Sequence, residues 1–206
     1  MIEKVYFGDY LKRLDNIIQW SEKDVFTRES VSQHSYKVTV FCRIMLQEIF
    51  GDLRECSDNI QSFAMRCVDH AMFHDWDEAL LLRDISHETK YNPYNGDEIR
   101  KALDNLSEYK SALEFTDHTL CGAFVHGALN EQDLDILLFC KFCDWLALAF
   151  FIRREISMGN NTLSTQIETV ERGLQKCGED CKNMLNDKFS INVTLFDQFY
   201  KIKNGK

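Results

Sequence analysis

Apolar residues recur every three or four positions along most of the chain, which is the spacing of one face of an α-helix. The first segment of this kind, residues 5–18, places Tyr6, Tyr10, Leu14 and Ile17 on a common face. No segment alternates apolar and polar residues in the manner of a strand. The same helical spacing predicts further helices over residues 30–50, 57–82, 97–111, 116–125, 131–157 and 163–185.

Short polar motifs indicate where these helices begin and end. Ser30-Val31-Ser32-Gln33 has the spacing of a capping box, in which the serine hydroxyl and the glutamine side chain each bind a free backbone N–H group. Gly159-Asn160-Asn161 predicts a break between the last two helices. The helical pattern ends after Leu82, and residues 84–96 are predicted to form a long irregular loop, a kind of segment that is often functional.

Residues that favour turns are scarce in this chain. It contains one proline and nine glycines among 206 residues, too few for the many turns of a β-sandwich or barrel. We therefore predict an all-α protein with a compact single-domain helical fold. The domain is expected to cover residues 1–187, with residues 188–206 forming a C-terminal segment packed on it.

Charge and hydropathy exclude several kinds of partner. With 33 acidic and 24 basic residues, the formal charge is −9, which argues against binding to a nucleic acid polymer. The most apolar stretch, residues 136–152, is interrupted by Lys141 and Asp144, so we predict no membrane span. A small anionic ligand remains compatible with this charge, because a local cationic site can lie within an acidic protein.

The cysteines and the N-terminal sequence indicate in which cellular compartment the protein is expected. Most of the eight cysteines lie within apolar helical patterns, as free cysteines in reducing compartments do. Cys140-Lys141-Phe142-Cys143 has the spacing of half a zinc site, but core packing is the favoured interpretation. The first residues lack the form of a signal peptide. We expect a reduced, cytoplasmic protein.

Several residues on the predicted helices could bind a metal. His34 begins an apolar helix face, His74-Asp75 lies near the end of the helix over residues 57–82, and Asp144 interrupts the most apolar helix. Imidazoles and carboxylates together suit a divalent transition metal. A structural alternative exists for each: the histidines could belong to the core, and Asp144 could pair with Lys141 or Arg153.

The order of these residues resembles the H…HD…D signature of the HD-domain metal-dependent phosphohydrolases. Within that superfamily, the chain is most similar to the bacterial 5′-deoxynucleotidase branch. The resemblance covers most of residues 10–165. The segments that carry it are Val31-Ser-Gln-His-Ser35, Phe73-His-Asp-Trp-Asp-Glu78, Asp84-Ile-Ser-His-Glu-Thr-Lys-Tyr91 and Cys143-Asp-Trp-Leu146.

The resemblance implies a metal centre that hydrolyses a phosphate ester. Its ligands would be His34, His74, Asp75 and Asp144, and the cofactor would be a divalent ion: Co, Mn, Zn, Fe, Cu or Mg. A metal lowers the pKa of bound water from about 15.7 towards about 7, which makes hydroxide available at neutral pH. The expected partner is a small nucleotide substrate, and many members of this branch form homodimers.

Acidic residues beside the expected metal are given catalytic roles by the same resemblance. Glu78 follows His74 by four residues, so on a continuous helix both would lie on one face. The family places this acid beside the metal-bound water. Asp84 corresponds to the family's acid after that helix, at an interval from Glu78 that is one residue longer than expected.

Substrate contacts are predicted at Gln19, Trp20 and Lys90. Trp20 matches a family tryptophan next to the sugar, where bulk near C2′ disfavours a ribose hydroxyl; packing between helices is the alternative. Gln19 stands where the family has an arginine for the phosphate, and glutamine supplies neither a positive charge nor a bidentate fork. Lys90 is the favoured replacement cation, ahead of the other candidates Arg13, Lys23 and Arg28.

Hydrolysis of deoxynucleoside 5′-monophosphates to deoxynucleoside and phosphate is therefore the leading functional hypothesis. A deoxynucleoside triphosphate hydrolase of the same fold, such as related viral proteins, is the first alternative, since Gln19 would suit a differently placed phosphate chain. The others are an HD module that binds nucleotides without turnover and a purely structural helical protein.

Overall fold

The computed structural model of the protein describes residues 7–85, 101 and 134–191. Within these residues there is no β-strand, and Ile18 and Ser30 form an isolated bridge. The all-α prediction is confirmed. The helices are α1 (Phe7–Asn16), α2 (Val31–Phe50), α3 (Asp58–Phe73), α4 (Trp76–Leu81), α5 (Leu134–Ser157) and α6 (Ser164–Phe189), with 3₁₀ turns at Leu53–Glu55 and Asn161–Leu163.

The predicted helix over residues 57–82 is wrong in one respect, because the structure divides it into α3 and α4. His74 and Asp75 form the turn between them. Asp75 is the residue that precedes α4, with φ −107° and ψ 23°, and its carbonyl accepts a hydrogen bond from the Glu78 N–H at 3.0 Å. Aspartate is less favourable than most residues inside a helix, which suits a break here, and Asp75 makes no side-chain capping bond to the start of α4.

The other described helices follow the predicted ranges closely, although α1 ends two residues early and α6 ends four residues late. The helices predicted over residues 97–111 and 116–125 lie outside the described residues, as do nearly all of the irregular loop and residues 192–206. The predicted single domain of residues 1–187 stays a prediction.

The capping box at the start of α2 is present as predicted. The Ser30 N–H donates to Gln33 Oε1 at 3.0 Å, and the Gln33 N–H donates to Ser30 Oγ at 3.3 Å. The next helical bond runs from the His34 N–H to the Ser30 carbonyl at 3.0 Å. This arrangement fixes the first turn of α2 and therefore the position of His34.

The chain divides into two compact units. The first comprises residues 1–35 and 73–129, and in it α1 packs against α4. The second comprises residues 36–72 and 130–206, and in it α5 packs along α6. An aromatic group that includes Phe63 and Phe139, with ring centroids 5.9 Å apart, forms part of its interior.

The predicted break between α5 and α6 is confirmed, and it contains a buried polar pair. Gly159 has a φ of +100°, a conformation that glycine adopts without strain. Asn160 Nδ2 donates to the buried carboxylate of Glu155 at 2.9 Å, and Asn160 Oδ1 accepts from the Thr162 N–H at 3.2 Å. The asparagine thus caps the 3₁₀ turn that leads into α6.

Close packing of α5 on α6 depends on a glycine. A Cβ atom at Gly173 would lie 2.7 Å from two ring carbons of Trp145, well inside van der Waals contact. The indole therefore occupies space that any other residue at position 173 would fill. No described helix is both long and apolar enough to cross a bilayer.

We expect Gly173→Ala to destabilise the protein by about 1–3 kcal/mol, because the added methyl group must displace the Trp145 ring. A loss of stability would be informative, because replacing glycine with alanine inside a helix normally stabilises it by about 1 kcal/mol. Urea unfolding measures the change. Lys176→Ala, at an exposed position on the same helix, is the control. A stabilised Gly173→Ala variant would contradict the packing argument.

Candidate metal centre

His34 and His74 lie side by side in the first unit. His34 is 2% exposed and belongs to the capped first turn of α2, whereas His74 lies in the turn after α3. Their ring centroids are 5.5 Å apart, with the rings tilted by 54°. Two imidazoles at this distance can direct nitrogen atoms at one point, as metal-binding histidines do.

Asp75 adds a buried carboxylate beside His74. Its Oδ2 atom lies 3.0 Å from His74 Nε2, and the residue is 5% exposed. Neighbouring ligands in an octahedral shell of about 2.1 Å radius are also about 3 Å apart. The pair is thus spaced either to share a proton or to bind the same ion.

Asp144, on α5, forms an ion pair with Lys141. Lys141 Nζ donates to Asp144 Oδ2 at 2.7 Å, so one of the two pairings considered from the sequence is present. Arg153, the other candidate, instead pairs with Glu171 at 3.0 Å. The buried aspartate is therefore charge-compensated by a residue one helical turn away.

A cluster suited to a metal includes three of the four predicted ligands. One ligand atom from each of His34, His74 and Asp144 lies within 4.8 Å of the other two. His34 and Asp144 are buried, and His74 is partly buried. Two imidazole nitrogens and a carboxylate oxygen form a donor set that fits a divalent transition metal. The cluster could therefore bind such an ion, and the complete ligand set with Asp75 stays a prediction.

Glu78 is placed differently from the expectation, although its burial suits a functional acid. It is 1% exposed and lies in the first turn of α4, so it does not share a continuous helix with His74. The argument from a common helix face is wrong for this reason. The turn at His74-Asp75 and the start of α4 bring Glu78 close to Asp75 along the backbone, and its catalytic role stays a prediction.

Asp84 forms a hydrogen bond with the backbone of the segment that contains Gln19 and Trp20. Asp84 Oδ2 accepts a hydrogen bond from the Trp20 N–H at 2.8 Å. Trp20 has a φ of 59°, which is uncommon for a residue with a side chain. The carboxylate thus holds a strained backbone position, a structural role that the sequence did not indicate.

Two backbone bonds close the segment between α1 and α2. The Val31 N–H donates to the Ile17 carbonyl at 2.9 Å, and the Gln19 N–H donates to the Glu29 carbonyl at 2.8 Å. Gln19 is consequently buried rather than displayed on a free loop.

Sequence reasoning missed Glu29, a buried carboxylate behind His34. Glu29 is 4% exposed, and its Oε1 atom lies 3.8 Å from His34 Nδ1. This separation is longer than a hydrogen bond; a carboxylate that closed the gap would fix the orientation of the imidazole and raise its basicity. The polar stretch before Ser30 gave no apolar periodicity that would have indicated a buried acid.

The comparison with protein families decides the family. The profile described as 5′-deoxynucleotidase YfbR-like matches residues 6–192. The chain belongs to the YfbR-like family. It is therefore a member of a hydrolase family of the 5′-deoxynucleotidase type. No curated protein sequence matched the chain.

The resemblance considered from the sequence places an arginine at the position of Gln19, and this correspondence in the YfbR-like protein stays a prediction. Of the replacement cations considered, Lys23 and Arg28 are exposed and Arg13 is half-buried, whereas Lys90 lies outside the described residues. Lys141 was not considered for this role from the sequence. Its contact with Asp144, one of the two pairings considered from the sequence, makes it a further candidate.

The cysteines of this YfbR-like protein support the core interpretation. Cys140 and Cys143 are buried, and the Cys140 thiol donates to the Cys67 carbonyl at 3.1 Å. Burial raises the pKa of both thiols well above the ordinary value. Protonated thiols are poor metal ligands and poor nucleophiles, so the two residues behave as packing groups.

Glu29→Gln is expected to weaken metal binding about tenfold, because it removes the charge behind His34 while keeping the size of the side chain. Competition with a chelator measures the affinity. Glu48→Gln, an exposed change on α2, the helix of His34, should leave it unaltered. Equal affinities for wild type and Glu29→Gln would show that Glu29 does not orient the imidazole.

Asp84→Ala should lower the free energy of unfolding by about 1.5–3 kcal/mol, since it deletes a charged acceptor of the Trp20 N–H. Asp84→Asn keeps an oxygen acceptor and should lose much less. Urea unfolding and hydrogen exchange of the Trp20 amide report the two effects. Glu22→Ala, at an exposed position in the same segment, is the control; an Asp84→Ala variant as stable as this control would argue against the positioning role.

Proposed function

We propose that the protein is a metal-dependent phosphohydrolase that converts deoxynucleoside 5′-monophosphates into deoxynucleosides and inorganic phosphate. The observation that carries this proposal is the cluster of His34, His74 and Asp144 in a chain of the YfbR-like 5′-deoxynucleotidase family. The ligand chemistry suits a divalent transition metal, and the family supplies the reaction class. The residues around the cluster suggest how the reaction proceeds.

His34, His74, Asp75 and Asp144 would hold the metal. When bound, such an ion polarises a phosphoryl oxygen and makes hydroxide available from water near neutral pH. Asp75 is adjacent to His74, so one turn would supply two ligands of different charge. Glu29 would help to orient the His34 ring.

Glu78 is the proposed proton acceptor. Its carboxylate is almost completely buried and lies on the turn of α4 that follows Asp75. Glu78 would orient the attacking water and then return a proton towards the leaving 5′-oxygen.

Trp20 is the proposed wall beside the sugar. Asp84 fixes its backbone, and the hydrogen bonds at Gln19 and Val31 close the segment around it. A rigid wall can exclude a 2′-hydroxyl by shape, although shape alone discriminates by only about a hundredfold. Lys90 stays a candidate phosphate contact from the sequence.

Gln19 favours one alternative, hydrolysis of deoxynucleoside triphosphates. The side chain is buried and neutral at the position where the family has a cation. A phosphate chain placed differently would not need an arginine there. The same metal ligands would serve this reaction, and the products distinguish it: triphosphate or pyrophosphate is released instead of orthophosphate.

Product release from metal-reconstituted protein tests the proposal. The substrates are matched deoxy- and ribonucleoside mono- and triphosphates, each with and without chelator. Orthophosphate from deoxynucleoside monophosphates, lost with chelator, is the expected result. Inert monophosphates with hydrolysed triphosphates would favour the alternative, and nucleotide binding without any product would favour a module without turnover.

Two substitutions separate metal binding from proton transfer. Asp75→Asn weakens a proposed ligand at constant size, so it should remove both metal and activity. Glu78→Gln should retain the metal and lower kcat by about 10²–10⁴-fold, the usual contribution of a general acid or base. Asp180→Asn on the exposed surface of α6 is the control for both. A fully active Glu78→Gln variant would eliminate the proton-transfer role.

A further inference from the structure

We propose that Lys141 is the cation that binds the phosphate group of the substrate in this protein. This inference rests on the proposed function, since it assumes that Asp144 is a metal ligand. It assigns to α5 the charge that the family supplies from the position of Gln19. The surroundings of Lys141 and the charge of the proposed site both favour this role.

The ammonium group of Lys141 lies against a proposed ligand. Its Nζ atom is 2.7 Å from Asp144 Oδ2, whereas the Lys141 side chain as a whole is 23% exposed. A partly exposed cation beside a buried ligand is accessible to a solute that approaches the metal. A phosphate bound to that metal would enter the immediate neighbourhood of Lys141.

The Lys141 side chain also makes a second contact. Lys141 Nζ lies 5.2 Å from the ring centroid of Trp145, one helical turn further along α5, within the range of a cation–π interaction. The Trp145 ring in turn lies against Gly173 of α6. Lysine side chains are usually mobile, so these contacts lower the entropy that would be lost on binding a ligand.

The charge of the proposed site requires a cation of this kind. Asp75, Glu78 and Asp144 are all buried acidic residues, and a phosphate monoester adds further negative charge. A divalent ion offsets only part of this. Gln19 adds no charge, so a positive group near the metal is needed for both binding and the transition state.

A simpler role for Lys141 makes a different prediction. If Lys141 only compensated the charge of Asp144, its removal would alter the affinity for the metal, because the carboxylate would lose its competing partner. If Lys141 binds phosphate, its removal should weaken phosphate binding while metal content is maintained. Measuring metal and phosphate separately distinguishes these roles.

The experiment compares Lys141→Met with wild type. Methionine keeps an unbranched apolar stem against Trp145 and removes the charge. Inorganic phosphate is titrated calorimetrically into Mn²⁺-loaded protein, and bound manganese is determined by mass spectrometry. We expect phosphate affinity to fall at least about tenfold, as for the loss of a charge-assisted contact, with the manganese content unchanged.

Lys188→Met is the matched control. Lys188 also pairs with an aspartate of α5, Asp135, and lies 5.6 Å from the ring centroid of Phe63. It has the same types of contact but does not touch a proposed ligand, so phosphate affinity should stay at the wild-type value. Lys141→Arg keeps the positive charge and should bind phosphate within about threefold of wild type.

Several results would overturn the inference. They are wild-type phosphate affinity in Lys141→Met, a changed manganese content in that variant, equal loss of affinity in Lys141→Arg and Lys141→Met, and no phosphate binding by the wild-type protein. Turnover is measured in parallel. Phosphate binding that depends on Lys141 without hydrolysis of any nucleotide would refute the proposed function alone, and hydrolysis of monophosphates with unchanged binding in Lys141→Met would refute this inference alone.

Discussion

Burial of several carboxylates is the constraint on which the proposed site depends. Asp75, Glu78 and Asp144 are each less than a tenth exposed. An ionised carboxylate removed from water is destabilising unless a cation or hydrogen bonds compensate it. His74 contacts Asp75 and Lys141 contacts Asp144, which gives partial compensation. A divalent ion bound among these groups would supply the remainder, so the same charges that weaken the apoprotein favour the metal.

Capping hydrogen bonds and turns at the ends of helices determine where these groups lie. The capping box between Ser30 and Gln33 sets the first turn of α2, and the turn at His74-Asp75 separates α3 from α4. Neither ligand-bearing segment is a regular helix interior. A turn can place adjacent side chains on one side of the backbone, whereas consecutive helical residues diverge by about 100°. The helix break therefore explains how neighbouring residues can both face the proposed ion.

Much of this arrangement could be predicted because its signals are local. The capping box, the glycine break after α5 and the helical class follow from residues close together in sequence. The division of α3 from α4 was missed because the apolar periodicity continues through residues 74 and 75, where the helical hydrogen bonds do not. Periodicity reports which side chains are apolar and says little about a single interrupted turn.

Contacts between distant residues were harder to foresee. The roles of Glu29 behind His34 and of Asp84 beneath Trp20 depend on how a polar segment closes, which no motif in the sequence encodes. The pairing of Lys141 with Asp144 was one of two alternatives, and only the positions along α5 and α6 decided between them.

The proposed chemistry also depends on Gly173, which is not itself a proposed metal ligand or substrate contact. Any side chain there would push on Trp145, which follows Asp144 directly in α5 and lies beneath the ammonium group of Lys141. Natural variation at this outlying position of α6 would then appear in an assay as a defect in catalysis, although no reacting group had changed. A position that resembles a spacer in the sequence thus belongs to the structural support of the proposed site.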